Sequence, residues 1–445
     1  MNEAKHVADS PESALEKEAR NINIDDPHHV NPGDVAVGVV IGRTSEFFDF
    51  FVFAVASVIV FPAWVFPYAD PVVGTIYCFA IFALAFIARP FGTMLFNYID
   101  HRQGKSARLT SALLMLGTAT VAIGFLPSYD SIGNFSVAIL IILRIMQGLA
   151  IGGSWDGLAS LLALDAPDEK RSFYTMVPQI GAAVGFLVAT GLFAYFLAVL
   201  SPEDFYDWGW RYPFFVAFAI NVVALFARLR IVVTPEYTKL FRARELQPEP
   251  IFKTVRSEGP TILLGAFVPL ATFALFHMMT VFPLSWIFLY TDEEPWHFLT
   301  ISSVASAFFL VGILASGWLA AKYGRRRLLR DCAIATAAFS GFAPQFLDGG
   351  VVGEIFFMFS GFALLGICFG QSSGVVAQRF SKRFRYTGSA ITSDMAWLFG
   401  AGFAPLAALS LSAYFGLIAA GAYLLSGAIC TIVALGVANR LDRKG

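Results

Sequence analysis

Long apolar blocks separated by short charged connections dominate this chain of 445 residues. A helix needs about 20 mainly apolar residues to cross roughly 30 Å of hydrocarbon. On that measure the pattern predicts twelve spans, at 35–61, 72–99, 109–127, 132–164, 172–200, 211–231, 259–290, 298–321, 331–347, 353–377, 387–409 and 414–438. Residues 1–34 carry eight acids and no apolar block, so they read as a soluble tail rather than a signal peptide or a span. Within the tail, Ser10-Pro11-Glu12 has the order of an N-cap, a first-turn proline and an acidic first turn, which predicts a short helix over 11–20.

Composition agrees with the pattern and narrows it. Hydrophobic residues make up 57% and charged residues only 14%, against about 25% charged in an average soluble domain. The net charge of −1 gives no reason to expect a nucleic-acid partner. Cys78, Cys332, Cys368 and Cys430 are far apart, without CxxC spacing or a neighbouring histidine, so neither a disulfide framework nor a metal site is expected. No HExxH and no cysteine–histidine arrangement is present, and the chain reads as a non-enzyme without a cofactor.

Sorting the cations by connection sets an orientation. Cytoplasmic loops are enriched in Lys and Arg. With the N-terminus inside, 27 of the 31 cations fall on the cytoplasmic side, seven of them around the central connection from Arg228 to Arg256. The other side carries acids, among them Asp70, Asp130, Glu203, Asp292, Glu293 and Asp348, and the single base Arg211. The remaining three, Arg43, Arg89 and Arg144, lie inside predicted spans.

Two fragments repeat at similar offsets. Asp100-His-Arg-Gln-Gly104-Lys105 follows the second span and Lys322-Tyr-Gly324-Arg325-Arg326-Arg327 the eighth, 220 residues later. Lys170-Arg-Ser-Phe-Tyr-Thr175 and Lys382-Arg-Phe-Arg-Tyr-Thr387 follow the fourth and tenth, 212 residues apart. Together they predict an all-α polytopic protein of two six-helix halves, at 35–231 and 259–438. A cytoplasmic tail at 1–34, a basic linker at 232–258 with room for one surface helix, and a cytoplasmic tail at 439–445 complete the expected organisation.

Ionisable groups at mid-membrane cost at least about 2.5 kcal/mol each and normally face the bundle interior or a water-filled cavity. Arg43, Glu46 and Asp49 follow one another at three-residue steps and form one polar face of the first span. Arg43 and Glu46 fit either a self-contained packing pair or part of a binding site. Arg89 precedes Pro90 near a span end, where an arginine can snorkel or cap carbonyls. Arg144 is deeper, has no local acid, and has Gln147 one turn on, which suggests a substrate or coupling role. Asp156 lies nearer the cytoplasm and reads as a gate or packing residue, His277 as a ligand or a core histidine, and Asp394 as an isolated carboxylate equally suited to proton carriage or structure. Gln371, Ser372 and Ser373 add polar groups that could line a cavity, and Gly148-x-x-x-Gly152 and Gly366-x-x-x-Gly370 offer close helix contacts.

Several strings resemble the metabolite:proton symporter family of the major facilitator superfamily. They are Gly42-Arg-Thr-Ser-Glu46-Phe-Phe-Asp49-Phe50, Arg89-Pro90-Phe-Gly92, Arg144-Ile-Met-Gln147-Gly148 with Gly152-Gly153, Trp208-Gly-Trp-Arg211-Tyr-Pro213 and Tyr386-Thr-Gly388. The loop fragments around Asp100, Gly104 and Lys105 and around Gly324, Arg325 and Arg326 resemble the family's gate loops. Arg43 stands where the family usually has an amide, and Ser154 where it has an acid after the double glycine. The first loop is one residue longer, and its second copy has Ala321 in place of the acid.

The resemblance implies proton-coupled uptake of a small organic acid across a bacterial inner membrane by alternating access. Arg43, Arg144, Gln147, His277 and Gln371 are the expected substrate ligands, and Glu46, Asp49 and Asp394 the expected proton carriers. The expected partners are the organic acid, protons and the lipid bilayer, and the expected state is a monomer. Uptake of a zwitterionic osmoprotectant, proton-driven export and a transporter-like sensor remain as alternatives at this point.

Overall fold

The computed structural model describes residues 32–154, 171–232, 249–373, 379–381 and 383–442. Lys170 and Lys382, the gate candidate Asp156, the expected helix at 11–20 and the second part of the predicted fourth span lie outside the described residues.

Twelve long helical elements follow one another. In the N-terminal half they are α1 Pro32–Ile59, α2 Pro71–Gln103, α3 Lys105–Gly124, α4 Asn134–Ser154, α5 Ser172–Val199 and α6 Tyr212–Val232. In the C-terminal half they are α7 Leu270–Tyr290, α8 Pro295–Tyr323, α9 Arg325–Phe342, α10 Gly350–Phe369, α11 Arg385–Phe415 and α12 Ala420–Asp442. Ten of them are long and apolar enough to cross a membrane. The other two, α1 and α9, carry more charge: Arg43, Glu46 and Asp49 inside α1, and the Arg325-Arg326-Arg327 run opening α9.

Local chemistry explains the element ends. Asp70 accepts a hydrogen bond from the Val72 amide at 2.9 Å and Pro71 opens α2, a side-chain cap followed by a proline whose missing N–H is harmless there. Gly104 (φ +88°) alone separates α2 from α3, and Gly324 (φ +83°) alone separates α8 from α9. Both are left-handed positions that a side chain resists, so the recurring loop fragments fold as the same one-residue break in each half.

The seventh predicted span is the one the structure divides. A helix already begins at Ile251 inside the expected linker, bends at Glu258, and ends at Phe267. α7 then runs in two pieces, Leu270–Thr280 and Phe282–Tyr290, interrupted at Val281. α11 is also irregular, with a π turn over Leu398–Gly402 directly after Trp397, the kind of irregularity that recurs at working sites.

Small residues set the closest approaches. In the N-terminal half, a Cβ added to Gly148 of α4 would collide with the Ala85 carbonyl of α2. In the C-terminal half, a Cβ on Gly366 of α10 would meet the Phe309 carbonyl of α8. The main apolar cluster, rich in phenylalanine, runs through both halves: Phe47, Phe51 and Phe186 pack against Phe276, Phe362 and Phe369.

Candidate functional site

Three polar layers cross the bundle interior. The first lies on α1 and α6, toward the end that carries the basic connections. Glu46 accepts from Arg43 Nη1 at 2.7 Å, from Arg228 Nη2 at 2.7 Å and from the Ser154 hydroxyl at 2.9 Å. Arg228 Nη1 also donates to the Ser154 carbonyl at 3.0 Å. The sequence grouped Arg228 with the cations of the central connection, yet it is only 3% exposed. An arginine in the last turns of an apolar helix reads like a loop cation until the partner, Glu46, is in view.

The second layer sits deeper. Asp49 Oδ2 accepts from Asn221 Nδ2 at 2.6 Å, and Asn221 Oδ1 in turn accepts from the Ser45 hydroxyl at 2.7 Å. That second bond fixes the amide so that its NH2 faces the carboxylate. Asp49 Oδ1 is buried and has no hydrogen-bond partner. Arg144, 1% exposed, donates from Nε to the Phe82 carbonyl at 3.3 Å and from Nη1 to Gln147 Oε1 at 3.0 Å. Gln147 is held by its own bond to the Thr120 hydroxyl at 2.8 Å.

Arg144 Nη2 is left without a partner. The guanidinium lies 3.9 Å from the Phe53 ring centroid and 4.8 Å from that of Phe82, so aromatic faces supply part of its compensation. Arg144 has no ion-pair partner among the described residues, and Asp49 is the acid that acts on its charge across the site.

The C-terminal half closes this layer with rings. His277 is fully buried, with ring centroids of Phe50, Phe276, Phe82 and Phe86 at 5.0 to 5.8 Å and Trp397 at 6.3 Å. Both of its nitrogens are without partners. Phe50 and Phe82 touch Arg144 on one side and His277 on the other.

The third layer ties the halves together near the basic end. Arg89 Nε lies 2.7 Å from Asp394 Oδ1, a contact from α2 to α11. Thr93 Oγ1 is 2.9 Å from Asp394 Oδ2, 3.2 Å from the Gly152 carbonyl and 3.3 Å from the Arg89 carbonyl. Asp394 is therefore not an isolated carboxylate, and Arg89, 8% exposed, is neither snorkelling nor a simple cap.

Asp100 pairs with Arg108 at 3.2 Å, and Arg108 also reaches the Tyr386 hydroxyl of α11 at 3.2 Å. Gln371 Nε2 donates to the Ser172 carbonyl of α5 at 3.0 Å, and its Oε1 accepts from Arg325 Nε at 3.3 Å. Gln371 thus belongs with Arg325 and Gly324 in the contacts between halves, away from Arg144 and His277. Arg326 is exposed beside them, and only the backbone is described at Lys105.

The structure therefore brings Arg144, Gln147, Asp49 and His277 into one region, places Arg43 with Glu46 in another, and pairs Asp394 with Arg89 and Thr93. Asn221, Arg228, Ser154, Thr93, Arg108 and Tyr386 complete the networks and were not singled out from the sequence as site residues. Asn221 had a signal, being a lone amide in an apolar span.

Two six-helix halves closed over a buried layer of unpaired polar groups make this a membrane transporter. The chain belongs to the major facilitator superfamily, whose profile matches residues 45–405. Over 411 residues it is 35% identical to the inner membrane metabolite transport protein YhjE of Escherichia coli strain K12, covering 90% of this chain and 92% of the relative. It is 29% identical over 386 residues to the shikimate transporter of the same organism, covering 85% and 88% of the two chains. A crystal structure of a D-xylose–proton symporter has the same fold, with a TM-score of 0.68 at 16% identity, covering 90% of this chain and 96% of that one. These relatives are transporters, and the chain is a metabolite-transport member of the superfamily rather than an enzyme.

Proposed function

We propose that this protein carries a small organic anion, a carboxylate, into the cytoplasm together with a proton, by rocking its two halves in alternation across a bacterial inner membrane. The observation that carries this reading is the pair of unpartnered buried atoms in the middle layer, Arg144 Nη2 and Asp49 Oδ1. A guanidinium N–H with nothing to donate to is a seat for a carboxylate oxygen, and a charged donor makes the stronger hydrogen bond. A carboxylate oxygen with nothing to accept from is a seat for a proton.

The two other proton candidates are occupied. Glu46 is held by two arginines and a hydroxyl, and Asp394 by Arg89 and Thr93. Asp49 is held only by the neutral amide of Asn221. Coupling follows from charge. While Asp49 is ionised it compensates Arg144, and a cargo carboxylate arriving on Arg144 replaces it in that role and eases proton uptake on Asp49. Asp394 and Arg89 then act as a lock between halves on the cytoplasmic side, as the basic connections at that end suggest. Similarity to a shikimate transporter supports an acid as the cargo.

Uptake into proteoliposomes under an inward proton gradient tests the assignment. Asp49→Asn is expected to abolish gradient-driven accumulation while retaining exchange of cargo across the membrane. Accumulation that survives in Asp49→Asn removes Asp49 from the proton pathway.

A further inference from the structure

The charges inside the bundle are almost all matched in pairs, and the unmatched remainder constrains the cargo. Arg89 is matched by Asp394, Arg108 by Asp100, and Arg228 by Glu46. Arg43 shares Glu46, and its side chain, 22% exposed, is the least buried of these arginines. Glu354, a buried acid of α10, faces Glu293, which in turn pairs with His297, at the acidic end and away from the middle layer.

What remains in the middle is one cation, Arg144, and one acid, Asp49. Around Asp49 the charged or polar groups are Asn221 of α6, Arg144 of α4 and Glu46 one turn along α1. Buried charge without a counter-charge is expensive, so both forms that must cross between the two open states should have a neutral middle layer. The empty carrier satisfies this with ionised Asp49 opposite Arg144. With the proton on Asp49 and His277 neutral, the loaded carrier satisfies it with a single negative charge on Arg144.

We infer that the cargo is a monovalent carboxylate, carried with one proton so that a transport cycle moves no net charge. This rests on the proton-coupled reading above and adds the valence of the cargo and the stoichiometry. A dicarboxylate would leave the loaded layer at −1 and a zwitterion would leave it at +1. The ring-lined wall around His277 suits a compact cargo with an apolar face, and the two free nitrogens of His277 suit hydroxyl substituents.

The full-length protein in proteoliposomes loaded with a pH-sensitive dye tests both parts. Shikimate, lactate, succinate, citrate and glycine betaine are offered separately, with the membrane potential clamped by potassium and valinomycin. The expected result is lumenal acidification with shikimate or lactate, and accumulation that follows the pH gradient but changes less than twofold when the potential is altered. One net charge per cycle would instead change the accumulation ratio about 50-fold for about 100 mV. A change of that size, or acidification confined to succinate, citrate or glycine betaine, overturns the inference and leaves proton coupling standing. No acidification with any of the five overturns the proton-coupled reading as well. In Asp49→Asn, the empty middle layer keeps Arg144 without its counter-charge, so net uptake should be lost while exchange of cargo for cargo persists; net uptake that continues and stays indifferent to the potential also counts against the inference.

Discussion

The two halves share an architecture and differ in what they put inside it. Each has a one-residue glycine break after its second helix and a glycine contact between its second and fourth helices. The N-terminal half, however, holds Arg43, Glu46, Asp49, Arg144, Asn221 and Arg228 in two connected polar layers, while the C-terminal half meets them with Phe276, His277, Phe369 and Trp397. One half supplies charge and the other supplies shape. The lesson is that a duplicated scaffold need not duplicate its chemistry: the charged groups of the middle layer come from one half, and the other half meets them with rings. Asp394 is the exception, a charged residue of the C-terminal half that lies 2.7 Å from Arg89 of the N-terminal half.

The sharpest way to break this comparison is at that exception. Asp394→Asn leaves Arg89 buried without its counter-charge, and losing one member of a buried pair costs about 3–5 kcal/mol. A large drop in thermal stability is expected, with increased labelling of cysteines introduced at the basic end of α2. An unchanged labelling rate would mean that the pair does not hold the halves together.

Next in size is the contrast within the middle layer. Arg144→Gln is expected to weaken cargo binding by about 10- to 150-fold, the equivalent of a charged hydrogen bond worth about 1.5–3 kcal/mol. His277→Phe should change it by less than that. Comparable losses for the two variants, measured by cargo-induced thermal stabilisation, would show that the C-terminal half contributes chemistry as well as shape.

The smallest test concerns what the halves share. Gly148→Ala and Gly366→Ala each force a methyl group against a neighbouring carbonyl, and overpacking of this kind costs about 1–3 kcal/mol. Equal losses in unfolding measurements are expected from the two halves. A loss confined to one would mean that the two interfaces are not equivalent.

Much of the fold was legible because lipid imposes it. Apolar length gave the helices, and the repeated glycine loops gave the division into halves. The break within α7 was harder to read, since every residue of Leu270–Thr280 is buried and a helix buried on all sides carries no one-sided periodicity to mark where it stops. The site was legible on α1, where three ionisable residues share a face, and on α4, where Arg144 and Gln147 are one turn apart. It was not legible where a partner comes from a distant helix. Asp394 reads as isolated until α2 is packed beside it, 301 residues away from Thr93 in sequence, and Gln371 reads as cavity lining until α5 is placed against it.

Thr93 bears on how the lock releases. Its hydroxyl has one proton and three acceptors within reach, one in the opposite half and two in its own. When Asp394 withdraws, that proton can rotate to the Gly152 or Arg89 carbonyl, so the threonine leaves no orphaned donor in the barrier that separates closed from open, where such an orphan costs about 1–3 kcal/mol. Thr93 is thus the member of this contact that keeps an acceptor whether or not Asp394 stays.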